Sequence, residues 1–182
     1  FFTSKSGYSR EKTADEVLKR LEKSLKRLNK DKIHFYHMWC IMDKDHYDNV
    51  MKKGGPYEGA LKAKEEGLID HIVFSSHASG KETTEMVKDG FFEGILYGYN
   101  VLNYQRGDQV LQAAHEQNMG FVAMNPLAGG LIPQHEKYFS DKIKKIHPEM
   151  TLVQSALAFI MGQESATCAL SGISNLEQLN EN

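Results

Sequence analysis

Strand-like and helix-like segments alternate along almost the whole chain, and this alternation limits the possible folds more than any other feature. Six short apolar stretches are predicted strands: Phe1 to Ser4, Ile33 to Ile41, Leu68 to Phe74, Gly94 to Tyr99, Gly120 to Met124 and Ala166 to Leu170. Helical patterns separate them, and no consecutive pair is joined by the short turn of a hairpin. Strands connected through helices run parallel. We therefore expect an α/β fold with one parallel sheet, in which Ile33 to Ile41 is buried on both faces.

Helix starts are marked by capping patterns and by one proline. In a capping box the first side chain caps the helix and an acidic side chain three residues later returns the bond, a pattern found at Thr13 and Glu16, Ser79 and Glu82, and Ser174 and Glu177. Pro56 suits a first helical position, and the helix it opens is predicted to end at Gly67. Further helices are predicted at Asp108 to Gln117 and Thr151 to Met161. The apolar stripe of the last helix is expected to lie in the core: Val153, Ala156, Leu157, Ile160 and Met161.

Two parallel architectures fit this pattern, a doubly wound sheet and a barrel. Ligands bind at a switch point in the first, and at the carboxyl ends of the strands in the second. The loops with chemically useful residues all directly follow strands: Lys5-Ser6, Trp39-Cys40, Ser75-Ser76-His77, Asn125-Pro126-Leu127 and Ser171 to Ser174. This favours a (β/α)8 TIM barrel. Because a complete barrel takes about 250 residues, residues 1–182 are predicted to form one partial, incomplete barrel domain.

Composition and charge argue against several classes of function. The 22 Lys and Arg residues and 24 Asp and Glu residues leave a net charge of −2 without long charged blocks, so a nucleic-acid partner is not expected. No apolar run reaches the ~18 residues of a membrane helix. Cys40 and Cys168 are interpreted as buried thiols of a reducing compartment, so we expect a cytoplasmic protein. Because residue 1 is Phe1 and not Met, we expect a processed or truncated chain.

Candidate chemistry lies where polar residues follow strands. Lys5 is expected at a strand end, where barrel walls would partly desolvate its ammonium and let it orient an acid–base partner; the alternative is an exposed loop charge. His34 and His37 stand three apart in a strand, so they face opposite sides and cannot share one metal ion. Ser75 and Ser76, followed by a histidine, suit hydrogen bonding to a carboxamide or a sugar.

Two glycine-containing loops are candidates for anion binding through backbone amides. They are Leu127 to Gly130 and Ser171 to Ser174, the second running into a helix amino terminus. Neither matches the dinucleotide-binding or Walker pattern, and each also fits an ordinary tight turn.

Several strings of the sequence, taken in order, resemble the aldo/keto reductase family over essentially the whole chain. They are Thr3 to Ser6, Leu21 to Leu28, Gly67 to His77, Tyr99 to Asn103, Asn125 to Gly130 and Ser171 to Asn182. The resemblance runs from the family's third barrel strand to the opening of its last core helix. It therefore implies about strands 3 to 8 of the barrel, truncated at both ends.

The resemblance implies reduction of a carbonyl by hydride transfer from the reduced form of NADP or NAD, with an Asp, Tyr, Lys and His set. Lys5 matches the family lysine, whereas the Asp and Tyr belong to the part of the barrel that precedes residue 1. The family His aligns with Trp39, and His37 is on the same strand face, so both are expected in the substrate pocket. This departure is similar to the branch of the family that often carries an added iron–sulfur domain.

The resemblance also implies a cofactor site at the strand ends. Ser75 and Ser76 match the pair that holds the nicotinamide carboxamide. The remaining positions match the pyrophosphate loop (Asn125, Pro126, Leu127 and Gly129) or the adenosine end (Gly172, Ser174, Gln178, Glu181 and Asn182). Leu96 and Met124 replace the usual Gln and Tyr. Gln178 replaces an Arg that pairs with a 2′-phosphate, so the choice between NADP and NAD stays open.

Three hypotheses follow. The first is that the full-length parent is a reductase of small aldehydes or ketones. The second is that the chain is a catalytically incomplete barrel fragment that at most binds nucleotide, assembles with the missing units or associates with itself through open barrel edges. The third, a metal-assisted hydrolase on the same fold, is supported only by eight histidines and by carboxylates without a metal-ligand spacing, and no metal site is predicted.

Overall fold

A six-stranded sheet is the centre of the molecule. The computed structural model describes residues 1–143, 145 and 148–182. The strands are β1 (Thr3–Ser6), β2 (Ile33–Ile41), β3 (Ile69–Ser76), β4 (Gly94–Gly98), β5 (Gly120–Met124) and β6 (Cys168–Leu170). The helices are α1 (Ala14–Leu28), α2 (Lys44–Met51), α3 (Pro56–Glu65), α4 (Gly80–Lys88), α5 (Tyr104–Glu116), α6 (Leu131–Gln134), α7 (Glu136–Ile143), α8 (Leu152–Met161) and α9 (Leu176–Glu181).

The strands lie in the sheet in the order in which they occur along the chain. Every neighbouring pair is parallel, from β1 with β2 to β5 with β6. Because crossovers between parallel strands are right-handed, this order places the helices on one face, as in a barrel and unlike in a doubly wound sheet. The prediction of an incomplete TIM barrel is confirmed. Within the described residues, β1 and β6 are the two edges of the sheet.

The two faces of the sheet differ in burial. On the helix-facing side, Tyr36, Phe74 and Phe121 are fully buried beneath the helices. On the opposite, concave side, Phe35 and Trp39 of β2 are each 37% exposed. The prediction that β2 is buried on both faces is therefore wrong, because helices cover only one side of the sheet.

The predicted capping boxes define two of the helix starts. The Thr13 hydroxyl accepts from the Glu16 amide (3.3 Å) and the Glu16 carboxylate accepts from the Thr13 amide (3.1 Å). Ser79 and Glu82 make the same pair of bonds before α4. Both of these boxes are confirmed.

The third predicted box is wrong. Asn175, one residue later than expected, caps α9 by accepting from the Gln178 amide (2.9 Å). The Asn175 backbone is extended, and Asn is as good a cap as Ser, so the cap moves to the residue that directly precedes the helix.

Several boundaries differ from the predicted ones. β1 continues through Lys5 to Ser6, β3 begins at Ile69 and continues to Ser76, and β4 stops at Gly98. β6 has only three residues, and α5 begins at Tyr104, four residues early. Strand pairing determines these ends, and the pairing partners are distant in sequence.

Neither α2 nor the short helices after β5 were predicted from the sequence. Asp43 is the signal for α2, because its carboxylate accepts from the His46 amide (2.7 Å) as an amino-terminal cap.

Two further burial predictions fail. Cys40 is half-buried and Cys168 exposed, and Met161 is 55% exposed although the rest of its stripe packs inward or is half-buried. No helix in the described ranges combines the length and apolarity needed to cross a membrane.

The close approach of α4 to α5 gives a test of the packing. A Cβ added at Gly80 would lie 2.3 Å from the Arg106 carbonyl oxygen, so the two helices must separate to accept it. We expect Gly80→Ala to lower the free energy of unfolding by about 1–3 kcal/mol, measured by urea denaturation.

The matched control is Gly172→Ala, because a Cβ at Gly172 would meet no atom within 4 Å. Equal urea midpoints for the two variants would contradict the tight packing of α4 on α5.

Candidate active site

The predicted site residues lie toward one end of the sheet, because the carboxyl ends of parallel strands are all at the same end. Lys5 is in β1, His37 and Trp39 are in β2, and Ser75 and Ser76 end β3. The other predicted residues follow β5 and β6. The register pairs Lys5 with His37, so Lys5, His37 and Trp39 share the concave face.

Lys5 and Trp39 contact each other on this face. The Lys5 ammonium lies 4.3 Å from the centre of the indole ring, within the range of a cation–π interaction. The indole also packs on Gly7, where an added Cβ would lie 3.0 Å from its Cε3. Lys5 was expected after the strand and partly desolvated. It lies inside β1 and is exposed, because pairing with β2 extends the strand and, within the described residues, β1 is an edge of the sheet.

His37 is half-buried, whereas Lys5, the other ionisable group of these three residues, is exposed. Burial lowers the pKa of His37, and the positive charge of Lys5 lowers the pKa further. The imidazole is therefore neutral at neutral pH, with one ring nitrogen that donates and one that accepts. His37 can hydrogen-bond a carbonyl oxygen without adding charge.

Ser75 and Ser76 face opposite sides of β3. The Ser75 hydroxyl, on the concave side, accepts from the Cys40 amide (2.8 Å) at an irregularity of β2 where Cys40 has φ of 65°. A hydroxyl that accepts in this way keeps its hydrogen for donation. The Ser76 hydroxyl is bonded to the Thr83 hydroxyl (2.8 Å) in the helix layer. Of the two side chains, only that of Ser75 is on the concave side of β3, and it is buried there, at 1% exposed.

Three asparagines connect the loop after β4 to the loop after β5. The Asn100 side chain is buried; it donates to the Asn125 carbonyl (2.9 Å) and accepts from the Leu102 amide (2.9 Å). The Asn103 side chain accepts from the Asn100 amide (2.7 Å) and donates to the Gly98 carbonyl (3.1 Å). This network was not predicted from the sequence. Its signal is the pair Asn100 and Asn103 after a strand, a spacing typical of side-chain turns.

The loop after β5 carries the predicted pyrophosphate positions in an unusual backbone. Asn125 and Ala128 have positive φ, as do Gly129 (68°) and Gly130 (90°). Pro126 is buried and Leu127 half-buried, so the loop is attached to the core at its start. Successive left-handed residues turn the chain sharply, and glycine adopts this conformation most easily.

The predicted adenosine positions lie after β6. Gly172 and Ser174 are exposed in the loop, and Gln178 and Glu181 are on α9. The Gln178 side-chain carbonyl accepts from the Ser174 amide (2.7 Å), and the Asn182 side chain donates to the Ser171 hydroxyl (2.9 Å).

A cavity of about 390 Å³ opens at the carboxyl ends of β3, β4 and β5. Its lining includes His77, Asn103, Arg106, Met124 and Asn125. Three of these, His77, Asn103 and Arg106, were not among the predicted site residues. Among the described residues, no group of three or more His, Cys, Asp or Glu side chains is arranged to bind a metal ion.

Comparison with known proteins identifies the family. The model of the aldo/keto reductase family matches residues 3–182. The chain belongs to the aldo/keto reductase family. Among curated relatives, this aldo/keto reductase chain is 27% identical to the uncharacterized oxidoreductase YrpG and 22% identical to the uncharacterized oxidoreductase YqkF, both of Bacillus subtilis. Each match includes 91% of this chain but only 57% and 58% of the relatives.

Solved aldo/keto reductases show the same fold. The thermostable aldo-keto reductase Tm1743, solved with the inhibitor epalrestat, has a TM-score of 0.74 at 21% identity, covering 100% of this chain and 64% of that one. An aldo-keto reductase from a Medee basin deep-sea metagenome library also gives 0.74, at 20% identity and the same coverage. The chain therefore spans about three-fifths of the length of its curated relatives and slightly more of these structures.

The loops at the carboxyl ends of the strands form the rim of this aldo/keto reductase. The asparagine network gives a test of how the rim is held together. Asn100→Ala leaves the Asn125 carbonyl and the Leu102 amide without their side-chain partner. We expect a loss of about 1–3 kcal/mol in the free energy of unfolding, measured by urea denaturation.

The neighbouring variant Val101→Ala is the control, because Val101 is 38% exposed. It should change the free energy by less than about 0.5 kcal/mol. If Asn100→Ala is as stable as Val101→Ala, the network does not hold the two loops together.

Proposed function

We propose that the protein reduces small aldehydes or ketones with NADPH or NADH, at the carboxyl ends of its strands. The observation that carries the proposal is the placement of Lys5, His37 and Trp39 on one concave face within a chain of the aldo/keto reductase family. The bound nicotinamide would supply the hydride, and the proton for the carbonyl oxygen would come from the tyrosine of the family set, which the resemblance assigns to the part of the barrel that precedes residue 1. Lys5 is the proposed catalytic cation, and His37 and Trp39 are the proposed walls of the substrate pocket.

Three features support a nicotinamide cofactor at the rim. The Ser75 hydroxyl has a hydrogen to donate to a carboxamide oxygen. Met124 and Leu170 offer partly exposed apolar surface on the concave face, which suits a flat ring. The backbone at Gly172 is open, so a phosphate can approach its amide closely. The positions after β5 (Asn125 to Gly129) and on α9 complete the proposed cofactor site.

A second candidate is nucleotide binding without turnover. It is favoured by the Lys5 ammonium, which contacts the Trp39 ring, whereas the family mechanism places this lysine beside a tyrosine hydroxyl. We also propose self-association through the edges of β1 and β6, which have unpaired backbone groups. We further propose a cytoplasmic location, which the two free thiols support. We also propose membership of the iron–sulfur-associated branch, which Trp39 supports.

Cofactor binding can be measured with Trp39, the only tryptophan of the chain. Reduced nicotinamide absorbs at the wavelengths that tryptophan emits, so bound NADPH should quench Trp39 emission saturably. We expect Ser75→Ala to weaken NADPH binding by about 1 kcal/mol, roughly fivefold, because one hydrogen bond is lost.

The control is Ser24→Ala, since the Ser24 hydroxyl bonds the Arg20 carbonyl on α1, far from the rim. Equal NADPH affinity in the Ser75 and Ser24 variants would exclude Ser75 from the cofactor site. No saturable quenching in the unaltered chain would contradict both candidate functions.

Turnover of benzaldehyde distinguishes the two candidates. For a reductase we expect NADPH consumption that falls at least about 100-fold in Lys5→Met, because the substitution removes the charge that supports proton transfer. Lys81→Met, at an exposed position of α4, should keep full activity. Binding of NADPH without consumption in the unaltered chain would favour nucleotide binding alone.

A further inference from the structure

Glu11 is a buried carboxylate that the proposed reaction does not use. It lies in the loop between β1 and α1 and is 8% exposed, and no other Asp or Glu is buried to this extent among the residues that the structure describes. A carboxylate withdrawn from water is costly unless other groups bond to it or pair with it. Arg20 of α1 supplies part of this compensation, because its Nε lies 4.0 Å from the carboxylate. The loop supplies the rest.

Glu11 closes the loop after β1 with two bonds to the same residue. Its carboxylate accepts from the Gly7 amide (3.0 Å), and its own amide donates to the Gly7 carbonyl (3.0 Å). Both polar groups of the Gly7 backbone are therefore bonded to Glu11, and the bond to the carboxylate is charge-assisted. Because Gly7 is buried, its amide would lack an acceptor without that carboxylate.

Gly7 is the surface on which the Trp39 indole lies. A Cβ added at Gly7 would lie 3.0 Å from Cε3 and 3.7 Å from Cζ3 of the indole, so the ring contacts the backbone directly. Strand pairing gives Trp39 little support, because β1 pairs with β2 only as far as Met38 and the pairing of β2 with β3 is irregular between Met38 and Ile41. The indole in turn contacts the Lys5 ammonium. A shift of Gly7 would therefore reach Lys5 through the ring.

We propose that Glu11 is a positioning residue. By holding Gly7, it fixes the place of the Trp39 indole and, through the indole, the place of the Lys5 ammonium. The inference rests on the proposed function, in which Lys5 is the catalytic cation and Trp39 is a wall of the substrate pocket. Glu11 acts through Gly7 and itself contacts neither substrate nor cofactor.

The test measures the position of the indole directly, because Trp39 is the only tryptophan of the chain. Quenching of its emission by acrylamide reports how open the ring is to solvent. Trp39 is 37% exposed, and we expect Glu11→Ala to raise the Stern–Volmer constant about twofold, since the ring loses its cover at Gly7. Glu11→Gln keeps a carbonyl acceptor for the Gly7 amide and should stay close to the unaltered chain. The matched control is Glu22→Ala, which removes a carboxylate from the exposed side of α1 and should leave the quenching unchanged.

A second variant tests the same contact with Glu11 in place. The Cβ of Gly7→Ala would displace the indole, so acrylamide quenching should rise here too. Urea denaturation shows which variants fold, and Gly7→Ala with Glu11→Gln provides the comparison if Glu11→Ala does not.

Turnover of benzaldehyde connects this contact to the reaction. We expect Glu11→Ala to lower kcat at least about tenfold, because a small displacement of a catalytic group is costly, and Glu11→Gln to keep most of the activity. The dissociation constant of NADPH, measured from the emission of the cofactor itself, should change by less than about twofold, since no residue proposed for the cofactor is altered.

The outcomes separate this proposal from the proposed function. Equal acrylamide quenching in Glu11→Ala, Gly7→Ala and the unaltered chain would overturn the proposal, as would an unchanged kcat in Glu11→Ala. A Glu11→Gln variant that is quenched as strongly as Glu11→Ala would overturn the role of the bond to Gly7. Raised quenching in Glu11→Ala and Gly7→Ala, in a chain that consumes no NADPH, would support the placement of Trp39 by Glu11 and reject the reductase function.

Discussion

Parallel pairing in chain order is the constraint on which the rest of the structure depends. After each strand the chain must return to the opposite end of the sheet before the next parallel strand can begin. Every connection therefore crosses the same face of the sheet and contains a helix. That face is buried, and the opposite face, with Phe35 and Trp39, is partly exposed. The carboxyl ends of the strands and the loops that follow them therefore lie at one end of the sheet, and all of the candidate site residues are there.

The features predicted correctly from the sequence are those that local sequence patterns determine. β2 and β5 have the predicted bounds, and the capping boxes at Thr13 and Ser79 form. The ends of β1 and β3 were placed two residues short. The residues concerned, Lys5-Ser6 and Ser75-Ser76, are polar, and only pairing with β2 makes them strand. A polar strand end cannot be distinguished from a loop without knowing its partner.

The candidate site was predictable where it follows from strand alternation and not where it follows from tertiary contacts. His37 and Trp39 stand two residues apart and share a face for that reason alone. The same rule separates Ser75 from Ser76 once both are in β3. The contact of Lys5 with Trp39, and the cavity lined by both Arg106 and His77, involve residues from different strands, loops and helices. No local pattern contains them.

Stability and the shape of the candidate site depend on the same contacts at the rim. Asn100 holds Asn103, and the Asn103 carbonyl accepts the Arg106 amide (3.0 Å) at the start of α5. Gly80 packs against the Arg106 carbonyl from the other side. A variant that loosens either contact should therefore move Arg106 as well as destabilise the sheet edge. Substitutions at the rim are informative about the site only when stability is measured alongside, because the groups that hold the loops also position the guanidinium.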